Sequence, residues 1–203
     1  MTTARRIGTE DSATRVALID AALQLMAEEG YAAVTSRKVA AKAGLKPQLV
    51  HYYFRTMDDL FLALLQRGAE QNMERQARAL RSPQPVRALW EMLTDPAGAM
   101  LTQEFSALAN HRKDIRAEYA TLADRFRQQQ EDMLKPVLAD YGIDPQQFPT
   151  DALLLMLHGI SRILVLEEQM GVERGHESAR RLVEDLLTQY EGRPKKPRRR
   201  PAG

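Results

Sequence analysis

The sequence contains no cysteine, a single tryptophan, and only 6% aromatic residues over 203 positions. Without cysteine, disulfide scaffolds, thiolate zinc sites and thiol nucleophiles are excluded. No apolar run reaches the ~18 residues of a membrane span, and the N-terminus lacks the apolar stretch of a secretory signal. A soluble cytoplasmic protein with no membrane partner is expected. Strand signals are also missing. There is no sustained period-2 alternation, and glycine and proline fall between helical stretches, so the expectation is an all-α fold.

Charge of one sign is scarce overall, with a net of +2, but its distribution is uneven. Residues 1–64 hold 8 basic and 7 acidic groups, residues 65–192 hold 15 and 20, and residues 193–203 hold 6 and none. Between Val34 and Arg55 there are five cations, Arg37, Lys38, Lys42, Lys46 and Arg55, and no acid. An all-basic window inside a near-neutral segment suggests contact with a polyanion, the alternative being a solvated face.

Periodicity and caps predict helices over about 12–29, 36–43, 47–53, 57–81, 85–94, 97–112, 114–141, 151–170 and 176–190. Pro136 lies inside the seventh as a possible kink. Thr35 or Ser36 caps the second helix, Gly44 ends it, and Pro47 opens the third. Thr56 caps the fourth, whose first turn carries Asp58 and Asp59. The expected organisation is a flexible arm over 1–11, a first helical domain over 12–65, a second helical domain over 66–192, and a disordered basic tail over 193–203.

The stretch TSRKVAAKAGLKPQLVHYYFRTMDDLF at 35–61 carries the chemistry. Two short helices meet at Gly44, and Val39, Ala40, Ala43, Val50 and Phe54 can close a small core with Leu45 between them. The start of the second helix then faces outward, the end that enters the major groove in a helix-turn-helix. Arg37, Lys46 and Arg55 can neutralise phosphates, and Thr35 and Ser36 can offer them hydroxyls or helix-start amides. Gln48 can pair with adenine in a bidentate manner, Lys46 can reach guanine, and Leu49 can touch a thymine methyl. Pro47 sits at the same helix start. Tyr52 can hold a phosphate through its hydroxyl. His51 and Tyr53 complete the interface candidates, with packing as their alternative role, and Lys38 and Lys42 are expected to be solvated.

At these residues the sequence resembles the TetR family of bacterial transcription regulators. The resemblance rests on Gly30-Tyr31, the Thr35 cap, Val39-Ala40, Ala43-Gly44, the cluster His51-Tyr52-Tyr53-Phe54, and Thr56 with Leu60, over about residues 12–65. Three positions depart from the family pattern: His51 for the usual Tyr, Met57 for the usual Lys, and Lys46 for a small residue. Arg55 stands as a replacement cation.

From Ala152 to Leu166 nearly every residue is apolar, apart from a narrow stripe that includes His158 and Arg162, with Asp151 and Gln169 beyond it. Such a helix needs two covering partners, its own core and a second subunit. The resemblance likewise implies dimerisation through the last two long helices, here through Leu153, Leu157, Ile160, Leu164, Leu182 and Leu186. A two-fold dimer would read an inverted-repeat DNA operator. The resemblance also implies a pocket for a small-molecule effector. Its candidates are Trp90, Met92, Met100, Phe105, Leu108, Tyr119, Phe126, Met156 and His158, with plain core packing as the alternative. His111, Arg112, Arg116, His158 and Arg162 could meet an anionic ligand.

The expected function is thus a ligand-responsive repressor acting on double-stranded DNA. A second possibility is non-specific nucleic-acid binding through the basic tail. An all-helical enzyme has little support: Glu167 and Glu168 diverge by ~100° on a helix, and the four histidines, His51, His111, His158 and His176, fall on different elements. P-loop, GxGxxG, GxSxG and HExxH motifs are all absent. No catalytic residue, cofactor or metal is expected.

Overall fold

The computed structural model describes residues 13–194, and these are α-helical throughout, with no strand. Nine α-helices follow one another among the described residues: α1 (Ala13–Glu29), α2 (Ser36–Lys42), α3 (Pro47–Tyr53), α4 (Met57–Leu80), α5 (Pro85–Leu93), α6 (Pro96–His111), α7 (Lys113–Asp140), α8 (Thr150–Gln169) and α9 (His176–Glu191). A short 3-10 turn at Tyr31–Ala33 follows α1. The expected helices all form, with ends shifted by a residue or two, and α7 continues through Pro136. The expected arm over 1–11 and the tail from residue 195 onward lie outside the described residues.

Two compact units divide the chain. The first comprises residues up to Arg75 together with Pro96–Gln129; the second comprises Gln76–Asp95 and the residues from Gln130 on. Their boundaries fall inside α4 and α7, so each of these long helices supplies residues to both units.

In the first unit the core forms around α1, whose Leu18, Ile19, Ala22 and Met26 recur at helical spacing and are buried. Val39 and Ala40 of α2, Val50 of α3, and Leu60, Phe61 and Leu64 of α4 belong to the same cluster, as do Phe105 and Leu108 of α6 and Ile115 of α7. Small residues let helices approach closely. A Cβ at Gly68 of α4 would meet the ring of Phe105 at 3.5 Å, an ordinary packing distance. Arg112, just after α6, pairs with Asp58 in the first turn of α4 and also lies over the Phe61 ring, 5.3 Å from its centroid.

In the second unit one cluster gathers Leu80, Leu89, Leu134 and Leu154, and another gathers Trp90, Leu164, Val183 and Leu187. Its polar joint lies where α5 begins and α9 ends. The Glu191 carboxylate accepts hydrogen bonds from the Val86 and Arg87 amides at 2.8 and 2.9 Å and from the Tyr141 hydroxyl at 2.7 Å. A carboxylate is well placed at a helix N-terminus, where free amides and the helix dipole both favour it. Arg87 is 4% exposed, donates to Glu184 at 2.6 Å, and also reaches the Gly192 carbonyl at 3.2 Å. Burial, and then the bond to Glu191, push the Tyr141 phenol well above its ordinary value.

The apolar character of α8 is confirmed, and its sides are not equivalent. Leu164 is buried beside Trp90, Leu157 and Ile160 are partly buried against that same cluster, and Leu153 is half-buried. Leu164 thus belongs to the core of its own subunit. A helix apolar on nearly every side gives no sequence cue to which stripe meets its own core. The exposed apolar residues of α8 are Leu155, Met156 and Ile163, and those of α9 include Leu182 and Leu186.

Candidate nucleic-acid interface

The frame of the site is set by backbone chemistry. Thr35, in an extended conformation, caps α2 by accepting from the Lys38 amide at 3.3 Å. At its other end α2 closes with a pair of reversed hydrogen bonds: Gly44 donates to the Ala41 carbonyl at 3.1 Å and Leu45 to the Ala40 carbonyl at 2.8 Å. This is the Schellman arrangement, and it requires the positive φ of 67° that Gly44 adopts. Three residues after Gly44, Pro47 opens α3, its missing amide hydrogen being one the first turn would leave unpaired anyway. Val39, Ala40, Val50 and Phe54 are all buried, so the two helices are locked together through one face. Thr56 and Asp59 then exchange hydrogen bonds across the start of α4 at 2.9 and 3.1 Å, a capping box that fixes where α3 ends.

With that frame in place, the outer face can be read residue by residue. Thr35, Arg37, Lys46, Pro47, Gln48, His51, Tyr52 and Arg55 are exposed. Ser36 is half-buried, while Leu49 and Tyr53 are half-buried against the core, and Tyr53 meets Tyr52 edge-on with ring centroids 5.0 Å apart. Leu49 and Tyr53 are thus shared between packing and the outer surface. Met57 also packs against the core, which suits its departure from the usual cation.

The charges sort into two groups. Lys38 pairs with Glu29 at 2.7 Å and Lys42 with Glu28 at 2.7 Å, both carboxylates lying at the end of α1. The hydrogen bond from Lys42, followed by that from Gln24, holds the Glu28 carboxyl below its usual range. Arg37, Lys46 and Arg55 have no acid partner among the described residues. Lys46 is the residue before α3, and its exposed side chain makes no cap hydrogen bond. The expectation that Lys38 and Lys42 are merely solvated is thereby sharpened: they are neutralised by α1. Sequence pattern gave no warning of this, because the partners lie 9 and 14 residues away across a turn.

Another contact that sequence reasoning missed joins α6 to this domain. The Tyr31 amide donates to Glu104 Oε2 at 2.6 Å, immediately after Gly30. Gly30 has φ of 82°, and a Cβ there would lie 3.3 Å from the same oxygen. No local signal in the sequence links positions so far apart.

The effector candidates are scattered. Met100, Phe105, Leu108, His111, Arg112, Tyr119 and Phe126 belong to the first unit, whereas Trp90, Met92, Met156, His158 and Arg162 belong to the second. Phe105 and Leu108 are core residues packed with α1 and α4, which is the plain packing role. Tyr119 bonds the Ser106 hydroxyl at 2.9 Å, while Met100 and His111 are exposed. Arg112 is committed to Asp58, and Arg116 donates to the carbonyls of Ala109 and Asn110 at the end of α6, so neither is a free anion receptor. Met156 lies 62% exposed on the outer side of α8, away from any lining role. His158, by contrast, is inside the second unit, hydrogen-bonded to Gln130 at 2.7 Å. Arg162 is exposed. No His, Asp or Glu grouping suited to a metal ion occurs among the described residues.

The fold and this interface define a class: all-α proteins with an N-terminal helix-turn-helix domain. Residues 18–64 match the family described as bacterial regulatory proteins, tetR family. Over 51 residues the chain is 41% identical to the HTH-type transcriptional regulator BetI of Rhizobium meliloti (strain 1021), a match covering 25% of each chain. It is 25% identical over 136 residues to the HTH-type transcriptional repressor BepR of Brucella suis biovar 1 (strain 1330), covering 64% of this chain and 65% of that one. The chain therefore spans a quarter of the first relative and just under two thirds of the second. Among solved structures, a transcriptional regulator from Saccharomonospora viridis in complex with choline superposes with a TM-score of 0.68 at 21% identity, covering 85% of this chain and 94% of that one. The relatives are transcriptional regulators by name. No helix among the described residues is long and apolar enough to cross a membrane.

Proposed function

We propose that this chain is a sequence-specific, ligand-responsive transcriptional regulator that represses by binding an inverted-repeat operator as a homodimer in the cytoplasm. The observation that carries the reading is the charge sorting around α3. Arg37, Lys46 and Arg55 stand exposed with no acid partner among the described residues, while the remaining cations of the window are paired with α1. Exposed cations flanking an exposed helix start suit phosphate contacts that position the start of α3, where Gln48 reads a base. The repressor name of one relative and the choline complex of a structural neighbour support repression and ligand response respectively.

In this reading residues 12–65 bind DNA through Thr35, Ser36, Arg37, Lys46, Pro47, Gln48, Leu49, His51, Tyr52, Tyr53 and Arg55. Residues 66–192 receive the ligand and dimerise, and the basic residues of 193–203 add phosphate attraction. One recognition helix reads too few base pairs alone, so a second copy is required, with half-sites spaced by about one DNA turn, ~34 Å. The second copy is seated on the exposed apolar residues of α8 and α9, Leu155, Met156, Ile163, Leu182 and Leu186. Ligand binding shifts α4 and so changes the spacing of the two recognition helices, which lowers operator affinity by the ligand's preference for one of the two states.

Selection from random duplex DNA with the full-length protein tests this reading. Enrichment of an inverted repeat is expected. Enrichment of no motif, or of sequences lacking two-fold symmetry, overturns it.

A further inference from the structure

We infer that the interior of the second unit takes an uncharged, largely apolar ligand bearing a hydrogen-bond acceptor, and that Gln130 anchors it. The inference rests on the reading of residues 66–192 as ligand-receiving and narrows the chemistry of that ligand.

Gln130 on α7 is fully buried. Its carbonyl Oε1 lies 2.7 Å from His158 Nε2. A carbonyl oxygen has no proton to give, so the imidazole is the donor and the amide direction is set. The amide Nε2 of Gln130 is then left buried with no acceptor among the described residues. A buried donor without a partner is costly for a fold to keep.

The position of Gln130 is as telling as its unsatisfied group. It stands four residues before Leu134, and on α4 the fully buried Gln76 stands four before Leu80. His158 stands four after Leu154. Residues four apart share a helix face, and Leu80, Leu134 and Leu154 belong to one apolar cluster. Gln76, Gln130 and His158 therefore occupy the next turn along from that cluster, where the apolar faces of three helices would otherwise continue.

The three groups named at this level are two amides and an imidazole. No Asp or Glu is buried among the described residues, and the buried Arg87 is already held by Glu184. A cationic or anionic ligand would surrender its hydration here without gaining a counter-charge. A ketone or ester oxygen would instead satisfy the Gln130 donor, and its hydrocarbon would lie against the leucines one turn away. A quaternary ammonium, the chemistry of the choline bound by one structural neighbour, does not fit this interior.

Trp90 supplies the readout. It is the sole tryptophan, it is 8% exposed, and Val86 and Leu157 pack against both its cluster and the leucine cluster. The full-length protein is titrated with 2-octanone, and in parallel with n-octane, octanoate and choline, following Trp90 emission and the heat of binding. Saturable binding of 2-octanone is expected, with n-octane weaker by roughly tenfold for want of the acceptor, and no response to octanoate or choline at the same concentrations. Gln130→Met, close in shape but without the donor, should lose roughly tenfold in ketone affinity while retaining a cooperative melt and the wild-type DNA selection. Gln130→Leu should do the same and guards against a variant-specific packing fault.

Unchanged ketone affinity in both variants overturns the inference, as does absence of any saturable ketone response. Binding of octanoate or choline in preference to the ketone overturns the neutral chemistry alone and leaves the ligand-receiving role standing. The DNA-binding reading is judged separately, by whether selection still returns an inverted repeat.

Discussion

Glu104 of α6 accepts a hydrogen bond from the backbone amide of Tyr31 at 2.6 Å, directly after the one residue, Gly30, whose positive φ lets α1 turn into the 3-10 segment. A carboxylate thus satisfies an amide at the turn where the DNA-binding helices begin to diverge from α1. Gly30→Ala should destabilise the protein by about 1–2 kcal/mol, from the left-handed backbone and from a methyl 3.3 Å from Glu104 Oε2. Glu104→Ala, which removes the acceptor, should cost about 1–2 kcal/mol. Glu104→Gln keeps a carbonyl acceptor and should cost less. Chemical denaturation of the three variants checks the order.

Arg37→Ala should weaken binding to operator and unrelated DNA by similar factors and reduce the salt slope by about one, because one phosphate contact is lost. Lys38→Ala should change the slope less, since Lys38 is already paired with Glu29. Fluorescence anisotropy across a salt series, on both DNAs, distinguishes the two residues.

Gln48→Ala should relax preference at one base position in each half-site, at a cost of about 1–3 kcal/mol confined to operator DNA. Affinity for unrelated sequences should hold. Competition assays with single-base operator variants would show a uniform loss instead if Gln48 contacted only phosphate.

Ile163→Glu and Leu186→Glu, on the exposed faces of α8 and α9, should shift the protein toward monomer with little change in unfolding of the subunit itself. Leu164→Ala should behave in the opposite way, destabilising the subunit by about 2–5 kcal/mol through a cavity beside Trp90. Sedimentation velocity alongside thermal melts separates these effects. Retention of a tight dimer by both Glu variants would exclude this surface.

Tyr141 provides a pH signature. Its phenol is held protonated in the folded state by burial and by the bond to Glu191, so the folded state retains a proton that the unfolded chain releases near pH 10.0. The folded state binds more protons there, so stability is fully present below that pH and should fall as pH rises beyond it. Tyr141→Phe should flatten that decline. Melting temperatures of both proteins between about pH 8 and 11 give the comparison.

The helices and the DNA-reading frame were legible because their causes are local. Thr35, Gly44, Pro47 and Thr56 each act within four residues, and the structure shows every one of them in the expected terminal position. The relationships that escaped the sequence act at a distance. Glu28 and Glu29 neutralise cations on another helix, Arg112 meets Asp58, and Glu104 reaches Tyr31, none with any periodic trace. The sides of α8 are also decided at a distance. Leu157, Ile160 and Leu164 form as good an apolar stripe as Leu155, Met156 and Ile163, and only the tertiary partners Trp90 and Val183 decide which turns inward. Gln130 carries no sequence signal because it is the last of three consecutive glutamines in a charged helix, a run that looks like solvated surface.

The closed turn at Gly44 has a consequence for how such a domain can diversify. The direction in which α3 leaves α2 is set by backbone bonds at Ala40 and Ala41 and by the buried Val39 and Val50. Lys46 and Gln48 stand exposed, outside the buried face that makes that closure. They can be exchanged for other residues with little effect on folding, so the choice of DNA sequence is free to drift while the mounting that presents it stays the same.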